Sequence, residues 1–458
     1  MANTFKSNLE TKNDSEAFKT SLDSGQKVAL ADELPPELLV HIFEMAQNMF
    51  FPLEQHLSGR FPFVLGKVSR YWRQVAYEAP TLWSNVDISL RRDLGGLQVY
   101  LGRSKDSPID LNITFAPTLR QRGVSTLIGI LQPHYRRCRS IRLKSEASYK
   151  FTREISSILD SMCTGHYPML QHICVEGLEI DGPDLQPFAI VAGAVNLTTV
   201  CLRGLGLSNC RPPLTAVTQL HLAVSNDPIL YADFSNMLRS CRALVTLCVY
   251  DDFICEWPDL HDTHDMPFLR YMRIFGDMRE VSELLLSISA PDLEELTIAP
   301  IVQNDLTKLR RETCDAPRFP ALKSLALAPA LGKVLGFRAV IDANVCFPGI
   351  KLLILPNYDR LSFAKSFNTT DSRPLWPELD GLAVRNISDQ GLLYKFVEDR
   401  QRLSVPLRSL YLDPLTMSRM TRMEWLKEQL SVTETDPWKT QCEDCFYRDD
   451  ETRFLAMV

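Results

Sequence analysis

Leu293-Glu294-Glu295-Leu296-Thr297-Ile298, Leu322-Lys323-Ser324-Leu325-Ala326-Leu327 and Leu379-Asp380-Gly381-Leu382-Ala383-Val384 share one pattern: an apolar residue, two others, an apolar residue, one other, an apolar residue. The final alternation has the period of a strand with one buried face. The same pattern occurs at 138–143, 170–175, 197–202, 217–222, 244–249, 269–274, 350–355 and 407–412, with successive starts 20 to 32 residues apart. A proline precedes many of these units, among them Pro168, Pro267, Pro291, Pro320, Pro348, Pro377 and Pro406. A pattern recurring in order at such a period marks an array of stacked units sharing one core.

Several intervals carry helical periodicity, as at 281–288 and 392–397, so each unit reads as a strand plus a returning helix, an α/β arrangement. In such a strand the residue between the last two core positions, and the one two places further on, point away from the core. The first of these rows runs Arg142, Cys174, Cys201, His221, Cys248, Arg273, Thr297, Ala326, Ile354, Ala383, Tyr411; the second begins Lys144, Glu176, Arg203, Ala223, Tyr250, Phe275. This face is expected to be open and to bind a target protein. Arg203, His221, Tyr250, Arg273 and Phe275 are its candidate anchors, since Arg and aromatic side chains dominate interface energetics.

Upstream, residues 1–30 are polar and mixed in charge and read as a disordered leader. Order is expected from Leu34-Pro35-Pro36-Glu37-Leu38-Leu39-Val40-His41-Ile42-Phe43, where proline and Glu37 suit a helix start and Leu38, Leu39, Ile42 and Phe43 share a face. A second helix is expected across 64–76, with Leu65, Val68, Trp72, Val75 and Ala76 on one stripe, closed by Ala79-Pro80-Thr81-Leu82-Trp83.

These N-terminal residues, Leu34-Pro35, Glu37-Leu38, Ile42-Phe43, Val68-Ser69-Arg70-Tyr71-Trp72-Arg73, Val75-Ala76, Pro80 and Leu82-Trp83, resemble the F-box family, and the repeats resemble leucine-rich repeats. The combination looks like members of the expanded fungal F-box families. Two departures stand out: Ser69 replaces the family's usual cysteine, and an aromatic insert around 50–63 lengthens the link between the helices. The repeats mostly lack the family's asparagine.

The resemblance implies a small all-helical F-box followed by an irregular leucine-rich-repeat solenoid. The expected domains are 31–84 for the F-box, 85–135 for a transitional segment with strands near 84–88 and 109–115, 136–415 for the solenoid, and 416–458 for a cap helix and tail. It further implies a substrate adaptor of an SCF-type ubiquitin ligase, with the linker subunit, and through it the cullin, as partners. Carried over by position, Leu34, Pro35, Leu38, Ile42 and Val68 would meet the linker, and Trp72 and Trp83 would seat the domain core. The alternative is a repeat scaffold whose F-box-like cap engages no ligase.

Other chemistry finds little footing in the 458 residues. A net charge of −6 and only short Arg clusters argue against nucleic acid. No apolar run reaches a membrane span, and the chain is expected in the cytoplasm or nucleus. The twelve cysteines read as thiols of a reducing compartment. Cys442-Glu443-Asp444-Cys445 is half a zinc spacing with no second pair nearby, and Cys255, Asp259, His261, His264 and Asp265 read as a solvated loop. No dinucleotide, P-loop or metalloprotease motif is present, so neither cofactor nor metal is expected, and the chain is not expected to be an enzyme. A hydrolase or metal enzyme built on the Cys255 to Asp265 group is the remaining rival.

Overall fold

The computed structural model describes residues 34–50, 61–89, 94–115, 121–150, 153–179, 189–203, 211–223, 228–259, 262–276, 278–312, 317–329, 335–355, 374–385, 387 and 390–435. The leader, the segment at 51–60, His261 and Cys442–Cys445 therefore lie outside the described residues. The chain divides into two compact units, Met1–Trp83 and Ser84–Val458.

In the first unit, α1 (Pro36–Phe50) packs on α3 (Arg70–Glu78) and on a 3-10 turn at Pro80–Trp83, with α2 (Phe61–Leu65) beside α3. Pro36 opens α1, where its missing N–H costs nothing, and Glu37 complements the helix dipole. The single helix expected over 64–76 is two helices. The chain turns at Gly66 to Val68, and Ser69 starts α3 as its N-cap, extended at φ −146° and accepting from the Trp72 amide at 3.1 Å. Arg73 Nε donates to Gly66 O at 2.7 Å and fastens the turn to α3. Leu39, Phe43, Leu65, Val75, Ala76, Leu82 and Trp83 form the core of this unit.

The second unit is built on one fourteen-stranded parallel sheet whose strands follow chain order. These are β1 (Asn85–Ser89), β2 (Ile109–Phe115), β3 (Cys138–Lys150), β4 (His172–Glu179), β5 (Thr199–Arg203) and β6 (Gln219–Ala223). After the short β7 (Ile229–Leu230) comes β8 (Thr246–Tyr250). The short β9 (Ile254–Cys255) and β10 (His264–Asp265) then precede β11 (Tyr271–Phe275), and the short β12 (Ile288–Ser289) precedes β13 (Glu295–Ala299). The sheet ends with β14 (Ser324–Leu327), β15 (Leu352–Leu355), β16 (Gly381–Val384), β17 (Ser409–Leu412) and β18 (Ser431–Glu434). All three apolar positions of all eleven sequence units are buried, none more than 4 % exposed.

A second regularity lies in the backbone. Nine successive carbonyls, those of Gln171, Thr198, Thr218, Val245, Arg270, Glu294, Lys323, Lys351 and Asp380, each accept from two consecutive amides of the next unit, at 2.7 to 3.0 Å. Each strand is thereby fixed to its predecessor one residue before the ladder begins, which is why units of unequal length keep a common register.

The sheet extends beyond the expected array. β1 and β2, expected to be transitional, pair directly into it, and β18 adds a strand where only a cap helix and tail were expected. The returns are helical at α4 (Gly95–Arg103), α5 (Gln121–Leu131), α6 (Arg153–Cys163), α7 (Tyr231–Ser240), α8 (Val281–Leu286), α9 (Thr307–Glu312), α10 (Phe337–Cys346) and α11 (Gln390–Arg402). α12 (Pro414–Arg419) and α13 (Met423–Gln429) follow β17. Strand plus helix does not describe every unit: between β8 and β11 the described residues form β9 and β10, each pairing with another short strand, in a segment broken by Pro258 and Pro267. His264, expected in a solvated loop, is buried in β10, and Cys255 is half-buried in β9 with its Sγ 3.3 Å from Ile229 O.

Candidate functional site

In the first unit, apolar side chains sort onto two faces of α1. Leu39 and Phe43 turn into the core, where the Phe43 and Trp72 rings lie 4.8 Å apart. Leu38 and Ile42, expected to share their face, point outward instead, at 55 % and 41 % exposed, and Met45 continues their stripe one turn on. A helix packed on one side can bury only one stripe, so the second pair must face solvent or a partner. Val68, in the turn between α2 and α3, is 58 % exposed, and Val64 and Phe63 are exposed on α2.

Of the other carried-over residues, Pro35 is exposed and Leu34 half-buried, its carbonyl accepting from Tyr71 Oη at 2.6 Å. Trp83 is fully buried, donating Nε1–H to Ala76 O at 2.9 Å, and Trp72 is half-buried. Met45, Val64 and Phe63 were missed at the sequence level. The i, i+4 and i+7 spacing from Leu38 through Ile42 carried the signal for Met45; the broken helix hid the other two.

On the sheet, strand pairing aligns the predicted central row, residue opposite residue, from Arg142 through Cys174, Cys201, His221, Cys248, Arg273, Thr297, Ala326, Ile354 and Ala383 to Tyr411, and extends it by Asn112 on β2. The expectation that this row is open does not hold along its length. It is accessible at Asp87, Asn112 and Arg142, closed from Cys174 to Ala383, and accessible again at Tyr411 and Thr433. Three of the five candidate anchors are buried: His221 at 2 %, Arg273 at 7 % and Phe275 at 4 % exposed. Arg203 and Tyr250 are half-buried.

The closure has a packing cause. Side chains of one row stand about 4.8 Å apart across parallel strands. Here many are small, Ala326 and Ala383 in the central row and Ala299 and Ala328 in the row beside it, and others are flat and stacked, with the ring of His221 in the central row 6.4 Å from Tyr250 in the second and Tyr250 5.4 Å from Phe275 in that second row. Beside the closed row, His172, Gln219, Thr246, Tyr271 and Glu295, two places earlier on their strands, stay half-exposed, whereas Thr199, Ser324 and Gly381 of the same row are buried. Burial raises the Glu295 carboxyl above the usual range, with Arg273 opposing and Glu294 adding to the rise. Strand alternation could have pointed to this third row.

No group of three or more His, Cys, Asp or Glu among the described residues is placed to hold a metal ion. No helix among them is long and apolar enough to cross a membrane. Burial pushes the Cys138 and Cys241 thiols up to about 12, well away from a reactive thiolate; Arg137 opposes the rise at Cys138.

Residues 31–89 match the F-box-like family model, so the chain carries an F-box-like domain there, followed by a mixed α/β unit with a parallel sheet. The match spans the helices of the first unit and runs into β1. Domains of this kind are protein-interaction modules that generally bind linker subunits of SCF-type ligases. No curated protein matches the chain.

Proposed function

We propose that this protein is a substrate-recognition adaptor of an SCF-type, cullin-RING ubiquitin ligase, without catalysis of its own, serving ubiquitin-dependent degradation. The observation that carries the reading is the outward apolar stripe of Leu38, Ile42 and Met45 on the F-box-like domain, with Val64 and Val68 also exposed. Exposed large apolar side chains on an otherwise well-filled small domain suit a groove-lining partner. In this reading Leu34, Pro35, Leu38, Ile42 and Val68 engage the linker subunit, while Trp72 and Trp83 hold the helices that present them.

The second unit then serves as an irregular leucine-rich-repeat solenoid. The chain-order parallel sheet and the nine repeated bifurcated carbonyls support that assignment. Its outward face holds the target, with Arg203 and Tyr250 available for contact and His221, Arg273 and Phe275 shaping the floor between them.

The test is capture of linker subunit and cullin by the full chain, beside Leu38→Ala with Ile42→Ala. Wild type should retain both proteins and the folded double variant should lose them, each truncated anchor costing on the order of 1–2 kcal/mol of binding. Failure of wild type to capture the linker would replace the adaptor by a scaffold.

A further inference from the structure

We propose that Cys174 and Cys201, on the adjacent strands β4 and β5, are a thiol pair that a hydroperoxide oxidises to a reversible disulfide. The inference is independent of what the sheet face binds.

The two cysteines are Cα partners in the β4–β5 ladder, so their side chains leave the same face one strand spacing apart, about 4.8 Å. That lies inside the roughly 4.4–6.8 Å between Cα atoms that a disulfide bridges. Both are thiols, 1 % and 0 % exposed, and together they form a buried cluster of two with Tyr250 packed against it. Cys248 stands in the same row, but His221 lies between it and Cys201. Two strand spacings, about 9.6 Å, are beyond bridging reach. The row therefore offers one Cys–Cys rung.

Cys174 is the member prepared for attack. Its Sγ donates to Glu176 Oε1 at 3.1 Å, and the same oxygen accepts from Arg142 Nε and Nη2 at 3.2 and 2.9 Å. Burial lowers the pKa of the Arg142 guanidinium, but Cys174 and Glu176, each acting by charge and by hydrogen bond, reverse the sign and hold it above its ordinary range. Glu176 can thus take the thiol proton while Arg142 stabilises the thiolate. Burial instead keeps Cys138 and Cys241 in the thiol form. The Arg142 and Glu176 side chains are 20 % and 12 % exposed, so the Cys174 sulfur lies one side chain below the surface.

The chemistry runs in two steps. Cys174 Sγ passes its proton to Glu176 and attacks one peroxide oxygen; the O–O bond breaks, a sulfenic acid forms, and the departing hydroxide takes the proton from Glu176 as water. Cys201 Sγ then attacks the Cys174 sulfur; the S–O bond breaks, and the hydroxyl leaves with the Cys201 proton as a second water. Two thiols have lost two electrons and one peroxide has gained them. Drawing the Cβ atoms in to the favoured distance of about 3.8 Å strains the rung, which keeps the bond easily reduced. The disulfide also takes the S–H donor from Glu176, where the central row passes from accessible Arg142 to closed Cys174.

The test is non-reducing peptide mapping of the full chain after graded hydrogen peroxide. The Cys174–Cys201 link should form at least about tenfold faster than any modification of Cys138 or Cys241, and dithiothreitol should reverse it. Cys201→Ser should instead trap a sulfenic acid at Cys174, labelled by dimedone; Cys174→Ser should leave Cys201 unlabelled at the same dose. Arg142→Met should slow the link about tenfold at neutral pH, with the rate recovering as pH is raised, whereas Arg142→Lys should keep most of it. Oxidation of Cys174 and Cys201 in step with Cys138 and Cys241 would show that they react through unfolding, and the proposal would fall. A link between another pair in its place, or sulfenic acid on Cys201 alone, would overturn it as well.

Discussion

Leu38, Ile42 and Val68 turn apolar side chains to solvent on a small helical unit whose core is already full. Ala299, Ala326, Ala383 and Phe275, by contrast, are buried on the sheet face expected to be open. One unit carries more apolar surface than it can bury; the other closes a surface it was expected to leave open. Exposure in the first case is a property of one helix, since a helix packed on one side leaves its second stripe outside. Closure in the second belongs to neighbouring strands together, because a side chain in a row is covered by the residues of the strands beside it.

The hardest test of that contrast is a charge placed on each surface. Ala326→Asp should destabilise the second unit by about 3–5 kcal/mol, the cost of an uncompensated buried charge, read from urea unfolding. Leu38→Asp should stay within about 0.5 kcal/mol, as surface substitutions do, yet lose the linker subunit. If Ala326→Asp is as mild as Leu38→Asp, the sheet face is open after all.

Next in size is Arg400, buried on α11, where Nη1 donates to Leu375 O and Nη2 to Trp376 O and Leu379 O at 3.0 to 3.2 Å. Burial draws its pKa down to about 10, Asp380 working against the shift. Arg400→Met removes the side-chain donor from three carbonyls ahead of β16, of which Trp376 O keeps the Leu379 amide, and should cost about 2–3 kcal/mol, with hydrogen exchange rising first in the amides of β16 and β17. Uniform exchange across the sheet would show the loss to be global rather than local.

A smaller effect is expected in the helical unit. Ser69→Ala removes the N-cap of α3 and should cost about 1 kcal/mol, while Ser69→Cys, which restores the residue usual in the family, should recover little of it, sulfur being a weak acceptor. Faster exchange of the α3 amides in both variants would confirm that the serine acts here as a cap.

How much of this was legible in the residues differs between backbone and side chain. The eleven units and the register of their rows follow from the period of the apolar positions, and all of them stand in the sheet as read. β2 and β18 were missed as members because Ile113 and Val432 lie in sequences that lack the full unit, and pairing needs only backbone groups; β1 carries the unit in Trp83, Val86 and Ile88, but Trp83 was assigned to the helical domain before it. The split of Leu38 and Ile42 from Leu39 and Phe43 was within reach, since neighbours in sequence lie about 100° apart on a helix. The burial of His221 and Arg273 was not, for it depends on which side chains stand beside them on strands 20 to 30 residues away.

The smallest predicted effect tests the boundary between open and closed surface at Glu295, half-exposed beside the buried Arg273. Its carboxyl is raised, first by burial, with Arg273 pulling the other way. In the window above the ordinary carboxylate range, the folded state therefore holds a proton that the unfolded chain has released. Stability from this group is complete below the unfolded pKa and is lost as pH rises through the raised folded one. Glu295→Gln should flatten that part of the stability curve and be slightly more stable than wild type near neutrality, with no difference below the unfolded pKa. Curves that coincide at every pH would mean that water reaches the carboxylate freely, and the closed stretch of the face would then not extend to the Glu295 side of its row.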